Sequence, residues 1–287
     1  MHDQAQALRD RLHNKAQAAT AKTIAISSGK GGVGKSNIAL NFCLALTEEK
    51  KRVLLIDLDI GMGNIDILIG KTSTYNFTDI FSRNLPIRDI IELGPKTLSY
   101  IAGGSGMSDI FHMDEPQFNI FMNQFEQMVT EYDYIVFDLG AGATEEGLHF
   151  IQAVDEAMII TTPEPTSMTD AYAMIKHIYR VQKNLKIYIL VNRALTSGDG
   201  KRSIDRLEKV VRQFLNKDVH PLGILPDDRG VPQAVKEQVP FLLHDEQSPA
   251  AKSIRMITRQ YLDESIDLDR KPSFRFLSKL KRLLAER

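Results

Sequence analysis

The sequence predicts a doubly wound α/β fold, a single and mostly parallel sheet flanked by helices. Three observations predict it. Short apolar runs alternate with helix-like stretches along most of the chain, the pattern of repeated βα units. Most of those runs are continuously apolar rather than alternating, as strands covered on both faces are. The residues able to do chemistry sit just after the runs, where ligands bind in such sheets.

In order, the runs are Thr23–Ser27, Val53–Asp57, Leu98–Ile101, Tyr134–Asp138, Ala157–Thr161, Ile187–Asn192 and Leu222–Leu225. Apolar residues at helical spacing predict helices from Ser36 to Leu46 and over 167–182, 202–215 and 230–237. At 287 residues the chain can bury one large core. Three parts are expected: an N-terminal segment at 1–21, the α/β domain at 22–268 and an amphipathic helix at 269–287.

Composition narrows the classes. A formal net charge of −1 argues against a body that attracts nucleic acid as a whole. The one cysteine, Cys43, forms no internal disulfide, predicts a reducing compartment, and is too few for a cysteine-held iron–sulfur cluster. Within the first helix it reads as a small buried hydrophobe. No apolar run approaches the roughly 18 residues of a membrane span, and no secretory leader is expected. The seven histidines lack metal-ligand spacing, and no Ser/His/Asp or Cys/His set is evident.

Between the first strand and the first helix, residues 29–36 read Gly-Lys-Gly-Gly-Val-Gly-Lys-Ser. Gly29, Gly34, Lys35 and Ser36 satisfy the P-loop pattern. Glycines let the backbone curl around an anion with its N–H groups inward, where a Cβ would collide or forbid the dihedral. The phosphates then sit on the positive end of the following helix. The expected cradle comprises Gly29, Lys30, Gly31, Gly32, Val33, Gly34, Lys35, Ser36 and Asn37. Lys35 is expected to reach the β- and γ-phosphates and Ser36 to ligate Mg²⁺. The alternative, a glycine-rich turn that binds nothing, fits poorly between a strand and a helix. Lys30 matches no P-loop requirement. At the mouth of the loop it is either a solvated lysine or one that reaches phosphates held by a second subunit.

The second strand leads into Asp57-Leu58-Asp59-Ile60-Gly61-Met62-Gly63-Asn64-Ile65-Asp66. Carboxylates at i and i+2 of a strand end face the same way. Near a metal-bound nucleotide, one can orient water and the other serve the ion. The alternative is a solvated Asp-rich turn. Tyr134–Asp138 ends in a carboxylate after an apolar strand, placing Asp138 near Mg²⁺. The turn Gly140-Ala141-Gly142 follows, and one of its N–H groups can sense a γ-phosphate. The Asn-Lys-x-Asp stretch by which GTPases read guanine is missing. Asn192 and the Pro226-Asp227-Asp228 stretch follow later strands, so Asn192 either contacts a base or caps a turn. Arg193 reads as a structural or interface residue, and 162–167 as a loop with a helix cap. Glu145, Glu146, Asp155 and Glu156 read as solvated.

From Phe274 to Arg287, Phe276, Leu277, Leu280, Leu283 and Leu284 share one helical face, with Arg275, Lys279 and Arg282 opposite. Such a helix binds a membrane surface or docks on its own core. At the other end Ala5, Leu8 and Leu12 form a short apolar stripe behind Asp3, a possible cap. Alone, so short a helix is marginal in water.

The string Lys-Gly-Gly-Val-Gly-Lys-Ser, the Asp-x-Asp-x-Gly-x-x-Asn-x-Asp loop, the Asp138 strand and the basic tail together resemble the MinD/ParA ATPases of the deviant P-loop (SIMIBI) class. The resemblance covers nearly the whole chain and implies a MinD-like P-loop domain using ATP, ADP and Mg²⁺. It implies that Lys30 crosses the interface of an ATP-induced homodimer, that Lys35 and Asp59 serve hydrolysis, and that Ser36, Asp57 and Asp138 serve the metal. Asn192, Pro226 and Asp227 take the adenine side. The tail becomes a membrane-targeting helix on anionic lipid, through Phe274, Phe276, Leu277, Leu280, Lys281, Leu283 and Leu284. Many relatives have proline where this chain has Ala141, which puts the geometry of that turn in question.

Asp3-Gln4-Ala5-Gln6-Ala7-Leu8-Arg9 resembles the activator element of the FlhG branch (also called YlxH or FleN), MinD-like regulators of flagellar number and placement. That match implies contact with the FlhF GTPase through Asp3, Gln4, Ala5, Leu8 and Arg9. It also implies flagellar C-ring (switch-complex) partners, slow regulatory hydrolysis, and a place in the cytoplasm and on the cytoplasmic face of the membrane. No direct nucleic-acid partner is expected. Two other readings stay open. A MinD-type division-site regulator gives the N-terminal segment no task, and a ParA-like DNA-partitioning ATPase requires salt-sensitive DNA binding.

Overall fold

The computed structural model describes residues 21–60, 63–104 and 115–266. The strands are β1 Lys22–Ser27, β2 Val53–Leu58, β3 Glu92–Leu93, β4 Ser99–Ile101, β5 Tyr134–Leu139, β6 Glu156–Thr161, β7 Lys186–Ala194 and β8 His220–Pro226. The helices are α1 Lys35–Glu48, α2 Ile65–Ile69, α3 Asp79–Ser82, α4 Glu115–Met128, α5 Glu145–Ala153, α6 Pro165–Val181, α7 Ser197–Leu215, α8 Gly230–Lys236, α9 Phe241–His244 and α10 Pro249–Ile266.

The strands form one eight-stranded sheet in the order β3-β4-β2-β5-β1-β6-β7-β8. Every pairing is parallel except the antiparallel β3–β4 edge. The winding reverses around β1, so a crevice opens at its carboxyl end. Alternate residues of β1 serve opposite layers. Ile24 and Ile26 pack with Phe42 and Leu44 of α1 and with Ile254 and Tyr261 of α10. Ala25 faces the other layer, with Phe121, Phe137 and Ile175. Both faces are dry, which is why the strands read as unbroken apolar runs.

All seven predicted strands are present, with boundaries shifted by a residue or two. Four features differ from the sequence reading. β3 was not anticipated, since a two-residue antiparallel edge carries almost no pattern. Helix α7 begins at Ser197, not at 202, because Thr196 Oγ1 caps it by accepting the Asp199 N–H at 3.1 Å. Glu156 is not solvated but 3 % exposed. Lys22 Nζ lies 2.8 Å from its carboxylate, and the Tyr261 hydroxyl donates to it at 2.7 Å. These partners offset the cost of burying the charge and tie the first strand to the last helix. Asp155 is likewise engaged, accepting from the Thr23 N–H at 2.9 Å and from its hydroxyl at 2.7 Å.

Among the described residues no helix is long and apolar enough to cross a membrane. The expected activator contacts Asp3, Gln4, Ala5, Leu8 and Arg9 lie outside the described residues. So do the expected membrane contacts Phe274, Phe276, Leu277, Leu280, Lys281, Leu283 and Leu284.

Candidate functional site

β1 ends at Ser27 and α1 starts at Lys35, so the P-loop bridges a buried strand and a buried helix. Gly34 adopts φ 89°, ψ 21° at the helix start, and a Cβ there would also lie 2.5 Å from Asn192 Nδ2. Gly31 and Gly32 line the open side: no atom lies within 4 Å of where their Cβ atoms would sit, leaving room for an anion. Gly29 is glycine for a different reason from the one expected. Its Cβ would fall 2.1 Å from the Asp170 carbonyl oxygen, so the demand comes from packing on α6. The loop is held from outside: Asn192 Nδ2 donates to the Val33 carbonyl at 2.8 Å, and the Gly142 N–H donates to the Ser28 carbonyl at 2.9 Å. The latter bond commits one N–H of the 140–142 turn to the P-loop. The Asn37 side chain turns along the helix, accepting from Asn41 Nδ2 at 2.9 Å.

The two lysines of the loop differ sharply. Lys35 has a side chain only 7 % exposed, with Nζ 2.6 Å from Asp138 Oδ1, 3.2 Å from Ser36 Oγ and 3.9 Å from Asp59 Oδ2. Lys30 is 43 % exposed and rests loosely on the loop before α6, 3.5 Å from Glu164 Oε2 and 3.3 Å from Thr166 Oγ1.

β2 and β5 are register partners, Asp57 opposite Asp138. Burial first, then the Asp138 carboxylate, push Asp57 up to about 7. Burial also raises Asp138 above the usual carboxylate range, against the pull of Lys35. Both Asp57 oxygens accept from backbone: Oδ1 from the Asp59 N–H at 3.0 Å, Oδ2 from Asn64 at 2.9 Å and Ile65 at 3.3 Å. Asp59 itself is partly open, and a Cβ on Gly140 would lie 3.4 Å from its Oδ1. The loops after β2 and β5 therefore meet across the mouth of the P-loop.

These residues fit a magnesium ion. Asp138 Oδ2 is buried with no hydrogen-bond partner, and two carboxylates, Asp138 and Asp59, face one ammonium. Among the described residues no three His, Cys, Asp or Glu side chains form a ready-made metal centre.

Where the base is expected, the Asp227 N–H donates to the Ala194 carbonyl at 2.9 Å, joining the loop after β8 to the end of β7. A cavity of about 560 Å³ opens there, lined among others by Thr162, Glu164, Arg193, Arg202, Arg206 and Asp227. The buried Thr162 Oγ1 has no partner. Arg193, which reads from the sequence as a structural or interface residue, lines this cavity from a left-handed backbone at φ 54°. Arg202 and Arg206 were missed because they lie on the early turns of α7. The Thr196 cap was the signal that could have found them. Cys43 is fully buried, and desolvation pushes its thiol well above the ordinary range, as its reading as an inert hydrophobe requires.

A family model described as ParA, NUBPL iron-transfer P-loop NTPase, matches residues 19–262. This chain is a MinD/ParA-family ATPase. Iron transfer does not come with the match, because a cluster needs cysteine pairs and this chain has one cysteine. The chain is 33% identical to the antiactivator FleN of Pseudomonas aeruginosa, over 76% of this chain and 78% of that protein. It is also 33% identical to the flagellum site-determining protein YlxH of Helicobacter pylori, over 76% and 74% of the two. The likeness is therefore to the FlhG-like branch. Septum site-determining protein MinD of Helicobacter pylori is 29% identical, over 90% and 97%. Among solved structures, the MinC:MinD cell division protein complex of Aquifex aeolicus superposes with TM-score 0.70 at 26% identity, covering 87% of this chain and 99% of that one.

Proposed function

We propose that this MinD/ParA-family ATPase is an FlhG-type switch: ATP pairs two copies, the pair binds the membrane through residues 269–287, and residues 1–21 stimulate the FlhF GTPase. In this reading it sets flagellar number or placement, with flagellar switch-complex proteins as further partners and slow hydrolysis as its timer. The observation that carries the pairing is the contrast between the lysines. Lys35 is buried on the Asp138 carboxylate of its own chain, whereas Lys30 stands 43 % exposed at the lip, held by contacts no shorter than 3.3 Å. An exposed cation at the mouth of a phosphate cradle supports a role on a nucleotide held by a facing subunit. The flagellar assignment is supported by the FleN and YlxH relatives.

The chemistry follows from the site. Gly31 to Ser36 hold the phosphates with backbone N–H groups and the start of α1. Lys35 leaves Asp138 for the β- and γ-oxygens, and Ser36 with the freed Asp138 would hold Mg²⁺ or its water. The ion would neutralise charge developing on the phosphates. Asp59 orients the attacking water; Asp57, expected to serve the metal, has both oxygens on backbone N–H groups and supports that arrangement by holding Asp59's loop. Asn192 points its amide nitrogen at Val33, leaving its carbonyl oxygen for the amine of adenine, beside Pro226 and Asp227. One tail binds a bilayer weakly. Two tails on one dimer raise avidity by orders of magnitude, so ATP binding becomes membrane binding with no new chemistry.

The test is GTP hydrolysis by FlhF with the full chain and with the chain lacking residues 1–20. Stimulation lost with the segment supports this reading. Stimulation indifferent to the segment, or absent from both, returns the chain to the division-site reading.

A further inference from the structure

We propose that Gly103 and Gly104, the turn that ends β4, are positioning residues for ATP hydrolysis, acting through Asp57 to fix Asp59. The inference rests on Asp59 being the carboxylate that orients water.

The Asp57 carboxylate holds the Asp59 N–H with one oxygen and the Asn64 and Ile65 N–H groups with the other. One side chain thus pins both Asp59 and the start of α2. What fixes that carboxylate is a wall of glycines. A Cβ on Gly103 would lie 3.0 Å from Asp57 Cγ, 3.1 Å from its Oδ1 and 3.0 Å from its carbonyl oxygen. A Cβ on Gly63 would lie 3.1 Å from Asp57 Oδ2 and equally close to Gly103 Cα. The Gly63 N–H donates to the Gly104 carbonyl at 3.3 Å, so the loop carrying Asp59 is bonded to the β4 turn directly.

The turn has a rigid backing. Gly104 has φ 81°, and its Cβ would meet Asn76 Cγ at 2.9 Å. Asn76 Oδ1 accepts from the Thr78 N–H at 2.9 Å and from its hydroxyl at 2.6 Å, while the Phe77 N–H donates to the Ala102 carbonyl at 2.8 Å. The carboxylate is therefore held by its own hydrogen bonds beside a turn with a backing of its own, and an added methyl finds little room between them. A methyl at 103 displaces Asp57 by a few tenths of an ångström, and the Asp59 amide moves with it. The phosphate cradle hangs on β1 and α1 and is untouched, so the effect falls on rate and not on binding.

The experiment compares Gly103→Ala, Gly63→Ala and Asp59→Ala in the full chain. It measures steady-state hydrolysis, affinity for a fluorescent ATP analogue and Mg²⁺ dependence. We expect both glycine variants to lower kcat roughly tenfold to a hundredfold, with KM, nucleotide affinity and Mg²⁺ requirement within about twofold of the parent. Added to Asp59→Ala, Gly103→Ala should cause no further loss, since both act on one group. If Gly103→Ala does not fold, Gly63→Ala carries the same test against the other oxygen. Normal kcat in the glycine variants overturns the proposal, as does a loss that appears as weak nucleotide binding or that adds fully to Asp59→Ala. Ordinary turnover by Asp59→Ala alone overturns the reading beneath it, a separate and distinguishable outcome.

Discussion

Lys35 and Asp138 set the residue-scale character of the site. Their 2.6 Å contact is almost fully buried, so each is costly without the other. Asp59, by contrast, stands at the edge of the crevice with its Oδ2 at 3.9 Å from Lys35, close enough to share the field and open enough to meet water. This separation of binding from turnover makes a prediction. Asp59→Ala should bind Mg-ATP with near-parental affinity while phosphate release falls at least about a hundredfold, an effect comparable to removing a positioned catalytic group. Ordinary phosphate release from that variant would remove Asp59 from the mechanism. Much of the residue-level site was legible, because the cradle, the Asp57–Asp59 pair and Asp138 lie in contiguous motifs with strict spacing. What the spacing hid is contact between distant positions. Lys30 meets Glu164 across 134 residues, Gly29 is shaped by α6, and the Asp57 carboxylate lies against Gly103 from the turn after β4.

At the scale of elements, α1 must be fixed for the cradle at its start to be fixed. Its far end is clamped to α10 by Arg255, whose Nε and Nη2 meet Glu48 at 2.7 and 3.1 Å. The Arg255 hydrogen bond, opposed by partial burial, holds the Glu48 carboxyl below its usual value. A carboxyl depressed on folding contributes stability above its unfolded value, and that contribution is lost as pH falls through the folded one. Glu48→Gln should therefore cost about 0.5–1 kcal/mol at neutral pH. In chemical denaturation, its deficit should close as the pH drops through and below the ordinary carboxylate range. A deficit independent of pH would assign the cost to packing. Deleting residues 273–287 should abolish co-flotation with anionic liposomes in Mg-ATP, and continued flotation would return that segment to the protein's own core. The strands were readable because both sheet faces are covered. The α7 start was not, because its first turn is polar and only Thr196 announces it. Glu156 was misread because composition calls a glutamate exposed, whereas the layer formed by α10 closes over it.

At the scale of the molecule, one sheet brings the loops after β1, β2, β5, β6, β7 and β8 to a common edge, with Lys30 and Glu164 at its outer lip. The fold class was legible from the alternation of elements alone. The proposed pairing at that edge was legible only through the resemblance that singles out Lys30, because a surface that would act by meeting its copy leaves little other trace in one chain. The account therefore turns on pairing. The most direct measurement is the sedimentation-derived mass of the Asp59→Ala chain in saturating Mg-ATP, with Asp59→Ala/Lys30→Ala alongside. The account predicts a dimer for the first and a shift toward monomer, by at least about tenfold in dissociation constant, for the second. A monomer in the first sample, or an undiminished dimer in the second, would contradict it.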